Sequence, residues 1–425
     1  MQVKRDYSQP FFSNRRRRRV GGRFLFAYGL FLGAIIIFLY TQFDKVQLAA
    51  LDALGIAPTA TPYASTFATD GAALFLDGKL EEATLAFESA ARQRPENVDY
   101  LYEYGRLLIE TDRSAEVLAP VDFTNSDLSL ADRIIELAPN DPRGYALKTK
   151  ALVWTGQSTD AIPVGVSGME VDPNFAPLRA ALARAYTNIG RYGQGLEYAA
   201  EAVAIDPLDV DSHRSYAYAL AWVGQRQRAI EQLEDAIAIN PKLIPAYFEL
   251  AVQYLALNME AEAVATYERI LSMEPRNARA NLRLCETYAR IGQQDRAEGY
   301  CSDALDIDPN YAEAWRQVGM ARYNRRNYEG AIEAFETCVA NGSSEIQCWY
   351  IRGLAHYYLG QCEQAWTILE ESLPMAEQLA EPGPIIQTIR DGLWLTTRSC
   401  TNYAGRELPT VPPPTAIPPT PIGGF

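Results

Sequence analysis

Six cysteines, two histidines and a set of arginines and large aromatics are the residues of this chain that could do chemistry. The cysteines are Cys285, Cys301, Cys338, Cys348, Cys362 and Cys400. None forms a Cys-x-x-Cys pair or a cysteine–histidine cluster, so the spacing is wrong for a zinc site. Six cysteines leave many disulfide pairings open. His213 and His356 leave little material for acid–base or metal chemistry. The chain holds no Gly-x-Ser-x-Gly elbow, phosphate-cradling glycine loop, dinucleotide fingerprint or His-Glu-x-x-His. The reading is a protein that is not an enzyme and takes no cofactor and no metal. Its function must then lie in surfaces.

Charge is divided unevenly along the chain. The formal net charge over 425 residues is −14. Residues 1–23 hold eight basic side chains (Lys4, Arg5, Arg15 to Arg19, Arg23) and one acid, Asp6. That head carries +7, which leaves −21 on the remainder. So acidic a body argues against nucleic acid as a partner, since that needs a positive surface.

Residues 24–43 carry no charge. At 1.5 Å per helical residue they are long enough to cross a bilayer core of about 30 Å. The arginines before this run and their absence just after it predict a single membrane span. By the positive-inside rule the N-terminus is cytoplasmic and everything beyond residue 44 is extracytoplasmic. Residues 44–63 form a Pro/Thr linker. Residues 64–404 form the body, and residues 405–425 a Pro/Thr-rich tail that cannot bury a core.

The body has a ruler. Pro139, Pro173, Pro207, Pro241, Pro275 and Pro309 recur every 34 residues. With proline at position 32, position 8 is small (Ala183, Ala217, Ala251, Gly319, Gly353) and position 15 is mostly glycine (Gly156, Gly190, Gly224, Gly292, Gly360). Small residues let two antiparallel helices approach, and glycine takes the left-handed turn between them. The proline stops the second helix. This pattern resembles the tetratricopeptide repeat family. The resemblance implies an all-α, right-handed solenoid of about nine helix-turn-helix units, with residues 385–400 as a capping helix. Repeat two carries extra residues around 117–128, where Pro120 breaks any helix. Pro163, Gly165 and Gly168 should weaken or kink the second helix of repeat three.

The resemblance also gives the cysteines neighbours. Repeat geometry pairs Cys285 with Cys301, Cys338 with Cys348, and Cys362 with Cys400, which suits an oxidising compartment. In the family, positions 2, 5, 9, 12 and 13 of the first helices line a concave groove. Here those positions include Lys150, Trp154, Arg184, Asn188, Arg214, Tyr218 and Trp222, then Phe248, Arg279, Arg316, Tyr323, Tyr350 and Tyr357. Arginine and large aromatics are types enriched at binding hot spots. They suit an extended peptide, with guanidinium groups reading carboxylates and rings holding apolar side chains. Positions 5 and 9 (Ala146 with Lys150, Ala180 with Arg184, Arg214 with Tyr218) depart from the carboxylate clamp of the chaperone-binding subgroup. The expected function is a membrane-anchored scaffold or adaptor for proteins or extended peptides, in secretion or envelope assembly. Its layout is similar to that of bacterial envelope proteins of this family. A constitutive structural subunit of a membrane complex is the alternative.

Overall fold

The computed structural model describes residues 62–121, 127–379 and 382–409. The expected membrane span, residues 24–43, lies outside them. Among the described residues no helix is long and apolar enough to cross a membrane.

Among the described residues nine repeats follow one another from Ala64, all helix pairs except the second. Repeat one is α1 (Ala64–Leu76) and α2 (Leu80–Gln93). Repeat two is α3 (Val98–Glu110) followed by two short pieces, α4 (Ser114–Leu118) and α5 (Leu130–Leu137). The extra residues fall between these pieces, where an isolated bridge joins Pro120 to Ser129. Repeat three is α6 (Pro142–Trp154) and α7 (Ser158–Val171), and repeat four is α8 (Ala176–Asn188) and α9 (Tyr192–Ile205). Repeat five is α10 (Val210–Trp222) and α11 (Arg226–Ile239), and repeat six is α12 (Ile244–Ala256) and α13 (Glu260–Met273). Repeat seven is α14 (Ala278–Arg290) and α15 (Gln294–Ile307). Repeat eight is α16 (Ala312–Asn324) and α17 (Tyr328–Ala340). Repeat nine is α18 (Gln347–Tyr358) and α19 (Cys362–Glu377), covered by the single helix α20 (Gly383–Ser399).

Each turn inside a pair is made by the residue at position 15. Gly156, Gly190, Gly224, Gly292 and Gly360 all have positive φ there, and so do Asn258 and Arg326. The pair itself is locked at positions 8 and 24. A Cβ on Gly71 would lie 2.6 Å from the Phe87 ring, and one on Gly319 2.6 Å from Phe335. The bulk is exchanged between the two positions but never doubled, because the interior is close-packed. Repeat seven fills the same place with the Cys285–Cys301 disulfide.

Four first helices are entered through a capping side chain. Asn97, Asp141, Asp209 and Asn277 each accept a backbone N–H of the first turn, which satisfies a donor the helix cannot. The proline carbonyl of several blocks accepts a side-chain bond from the first helix that follows. Tyr247 Oη donates to Pro241 O at 2.8 Å, Trp315 Nε1 to Pro309 O at 2.8 Å, and Arg179 Nε to Pro173 O at 2.8 Å. His213 Nε2 lies 3.0 Å from Pro207 O in the same role. That histidine is a fold residue.

α7 carries the residues expected to weaken or kink it. The helix runs unbroken from Ser158 to Val171 with Pro163 inside it. A Cβ on Gly165 would lie 2.5 Å from Leu182, and one on Gly168 2.6 Å from Tyr145. The two glycines admit neighbouring side chains, and that packing holds the helix despite their low propensity.

All three implied disulfides are present. Cys338–Cys348 joins the end of α17 to the start of α18, and Cys362–Cys400 joins the start of α19 to the end of α20.

Candidate protein-binding surface

The first helices do bring the arginines and aromatics to one face. There they meet acids: Glu110 at groove position 13 of repeat two, Asp211 at position 2 of repeat five, and Glu249 at position 6 of repeat six. Glu110, the last residue of α3, accepts from Lys150 Nζ at 2.9 Å and from Arg214 Nη1 at 2.8 Å. Lys150 also donates to Asp211 at 2.7 Å. Arg214 takes Glu249 with two bonds, Nε to Oε2 at 3.1 Å and Nη2 to Oε1 at 2.9 Å. Arg184 reaches Glu249 at 3.3 Å and Ser215 Oγ at 3.2 Å. Repeats two to six thus share one ion cluster across the groove.

The cluster is buried. The side chains of Glu110 and Arg214 are each 4% exposed. Burial alone would raise the Glu110 and Asp211 carboxyls, but the Arg214 and Lys150 cations overcome it and hold both below the usual carboxylate range. Asp209, next to the cluster, moves the other way, raised by burial and then by the Asp211 charge. Buried charges persist only when paired and hydrogen-bonded. Lys150, Arg184 and Arg214, expected to line a peptide groove, thus have their charges paired with acids of this chain.

Two further pairs close the same turn at the surface. Lys242 Nζ donates to Asp77 at 2.7 Å, and Arg279 Nη1 to Asp112 at 3.3 Å. Beside them lies a cleft of about 810 Å³ between the α1–α2 and α3–α4 corners and the starts of α12 and α14. Phe248 forms part of its wall, with the Arg279 guanidinium 4.6 Å above the ring.

The aromatics continue the row. Arg184 lies 4.6 Å from the Trp154 ring and 4.8 Å from that of Tyr218, a cation between two π faces. Tyr218 donates its hydroxyl to Asn188 Oδ1 at 2.6 Å, and Asn188 donates to Ser158 Oγ at 2.9 Å. Trp222 meets Tyr218 edge-on and stacks on Tyr192 at 5.9 Å, with 54% of its surface exposed.

The same stack recurs in the C-terminal arm. Tyr358 lies on Tyr328 at 4.8 Å and is 53% exposed. Tyr323 and Tyr357 meet it edge-on. Burial, then the neighbouring Tyr358 and Tyr328, push the Tyr323 hydroxyl up. Tyr357 Oη lies 3.0 Å from Ser399 Oγ on the capping helix. Tyr350 is half-buried in the capping core, and Arg316 bridges Gln347 at 2.7 Å and Glu286 at 3.2 Å. The most exposed rings of these stacks are therefore Trp222 and Tyr358, resting on Tyr192 and on the half-buried Tyr328.

Tyr192 and Tyr328 are residues that the groove positions do not include. Both stand at position 17, first in their second helices, and stack on position 13 of the next repeat. An aromatic recurring there is the signal that finds them. Glu110 holds position 13 of repeat two and is found by extending the register to that irregular block.

A family model described as "Tetratricopeptide repeat" matches residues 254–318, from repeat six into repeat eight. No curated protein matches the chain. Among solved structures, a chain of the APC/C hetero-tetramer Cut9-Hcn1 is similar at a TM-score of 0.52 and 17% identity. That match covers 72% of this chain and 59% of the other, so this chain spans less than two thirds of it. MamA matches at 25% identity and a TM-score of 0.34 over 39% of this chain and 96% of its own. A tetratricopeptide repeat protein from Parabacteroides merdae matches at 16% identity and a TM-score of 0.45, over 60% of this chain and 98% of its own. The fold is that of the tetratricopeptide repeat solenoids, and the family match supports the same assignment.

Proposed function

We propose that the chain is a membrane-anchored interaction scaffold whose solenoid binds extended segments of other proteins. Solenoids of this repeat type generally mediate protein–protein contacts and are typically non-catalytic. The observation that carries the reading is the twice-built aromatic stack, Tyr192–Trp222 and Tyr328–Tyr358. Each leaves a large ring half in solvent on the same face. Exposed, rigid aromatics are a low-entropy means of holding apolar or proline side chains.

In this reading residues 24–43 cross the membrane with the N-terminus in the cytoplasm, and the solenoid lies outside. The run of uncharged residues and the arginines before it support the anchor. Three disulfides among six cysteines support an oxidising compartment, as in secretion or envelope assembly. A second reading, a fixed structural subunit of a membrane complex, draws support from the ion cluster, which ties repeats two to six together across the groove.

The test is affinity purification of the full chain from mild detergent beside a Trp222→Ala/Tyr358→Ala variant. The variant should lose the proteins that accompany the parent while its thermal melting stays the same. Capture unchanged by the variant would overturn the aromatic face as the binding surface and favour the structural subunit.

A further inference from the structure

The end of α20 lies against the tyrosine stack of repeats eight and nine. Ser399 Oγ is 3.0 Å from Tyr357 Oη, and the Cys362–Cys400 disulfide fixes that corner. Tyr357 in turn meets Tyr358 edge-on. Beyond Cys400 the chain turns back along α19. Tyr403 stacks on Trp366 at 5.4 Å, and the Arg406 guanidinium lies 4.4 Å from the same ring and 3.9 Å from Glu370. Leu408 packs on the capping core. Glu370 stands eight residues after Cys362, about 12 Å along the helix at about 1.5 Å per residue. The described chain thus ends at Pro409, on the same end unit that carries Tyr357 and Tyr358.

Residues 410–425 lie outside the described residues and read Thr-Val-Pro-Pro-Pro-Thr-Ala-Ile-Pro-Pro-Thr-Pro-Ile-Gly-Gly-Phe. No side chain among them is charged, so the acidic body does not repel them. Proline presets a polyproline II backbone, which loses little entropy on docking and leaves its carbonyls free to accept. With three residues per turn, Pro413, Ala416, Pro419 and Ile422 fall on one side as an apolar ridge. Sixteen such residues span about 50 Å at about 3.1 Å each, ample to return from Pro409 to the tyrosines.

The stack is a surface suited to that ridge. Tyr358 is 53% exposed and lies flat on Tyr328, with Tyr323 edge-on beside it. Proline-rich segments dock on grooves lined by such rings. Asn324, next to Tyr323, is exposed and makes no side-chain hydrogen bond among the described residues, so its amide is free to donate to a carbonyl. The Tyr192–Trp222 stack lies four repeats from this chain end.

We propose that residues 410–425 dock on the Tyr328–Tyr358 stack of the same molecule, with their proline ridge across its rings, until a proline-bearing segment of a partner displaces them. This rests on the reading of the aromatic face as a binding surface, and gives one of its two stacks a built-in occupant. A tethered tail meets the stack at an effective concentration of about a millimolar, so weak docking is enough to fill it.

The test uses the full chain in detergent micelles and a fluorescein-labelled peptide of residues 410–425. Pro413→Glu with Pro419→Glu disables the chain's own tail. That variant should bind the peptide about tenfold more tightly than the parent, by fluorescence anisotropy. A peptide carrying the same two glutamates should not bind. Adding Tyr358→Ala should abolish the gain, whereas adding Trp222→Ala should leave it. Equal binding by parent and tail variant, or a gain that survives Tyr358→Ala, would overturn the proposal. Should Tyr358→Ala lose helical circular dichroism, photocrosslinking decides. With p-benzoylphenylalanine placed at Ile417 of the otherwise unchanged chain, α16 to α18 of the same molecule should be labelled. Labelling of a second copy, or of other helices, would overturn self-docking. The capture assay with Trp222→Ala/Tyr358→Ala is read separately. Partners lost there with no peptide gain here would overturn the tail as occupant and leave the aromatic face standing. Capture unchanged beside an intact peptide gain would overturn the displacement by a partner.

Discussion

Repeats two to six are held together by charge across the groove, whereas repeats seven to nine are held by sulfur between neighbours. The first region joins residues 104 apart in sequence, Glu110 and Arg214. The second joins residues 16, 10 and 38 apart. A repeat array normally gains stability only from adjacent units, so it can open one unit at a time. The C-terminal arm keeps that logic and adds three local disulfides to it, one within repeat seven, one between repeats eight and nine, and one from repeat nine to the capping helix. The N-terminal turn departs from it, since opening repeat five takes an ion-pair partner from repeats two, three and six. The turn should therefore behave as one cooperative block and the arm as a stapled stack.

The harshest way to break that contrast is Arg214→Ala. It leaves Glu110 and Glu249 in a buried site without their main cation. Removing one partner of a buried pair costs about 3–5 kcal/mol. Hydrogen exchange should show amides of α3, α6, α10 and α12 losing protection together, with α18 to α20 unchanged. Equal loss in α18 to α20 would mean that the two regions are not separate. Acid should produce the same loosening without a mutation. Glu110 and Asp211 are held below their ordinary range, so their contribution is present above about pH 4 and is lost as pH falls further. Asp209, raised in the folded protein, opposes this, because its protonation relieves repulsion from Asp211.

Cys362→Ser with Cys400→Ser tests the other side. The bond closes the chain between α19 and α20, and α20 covers the last apolar face through Ile389 and Leu393, both fully buried. Loss of such a bridge typically costs about 2–4 kcal/mol. Amides of α20 should exchange faster while those of α10 and α12 do not change. A loss of protection that spread into repeats two to six would contradict the stacked character of the arm.

The unequal legibility of the two regions has the same cause. Positions 8, 15 and 24 act within one repeat, so Gly319, Arg326 and Phe335 can be placed from period alone. The disulfides join residues within a repeat or between adjacent elements, and repeat geometry is enough to pair them. The ion cluster needs one quantity more: how far the superhelix winds in four repeats. That is a sum of small rotations that no residue states. Lys150, Arg184 and Arg214 are therefore assigned to the correct face from sequence, but their partners are not. α7 shows the converse. Its Gly165 and Gly168 read as weakness locally, and Leu182 and Tyr145, which fill the space beside them, come from neighbouring helices.

The smallest expected effect belongs to Asp77, and it sharpens which contacts close the turn. Asp77 accepts from Lys242 at 2.7 Å across 165 residues, close to the 167 between Asp112 and Arg279, and like that pair it lies at the surface. The Lys242 hydrogen bond and charge lower its pKa, yet both side chains are at least half exposed. Water solvates each partner nearly as well alone, and salt screens what remains. Asp77→Asn should therefore leave the thermal midpoint and the radius of gyration by X-ray scattering indistinguishable from the parent at physiological salt. The buried cluster then accounts for closure. An expansion of the particle in Asp77→Asn would instead show that the turn is held from its surface, and the contrast between a charge-locked block and a stapled arm would have to be redrawn around the Asp77–Lys242 contact.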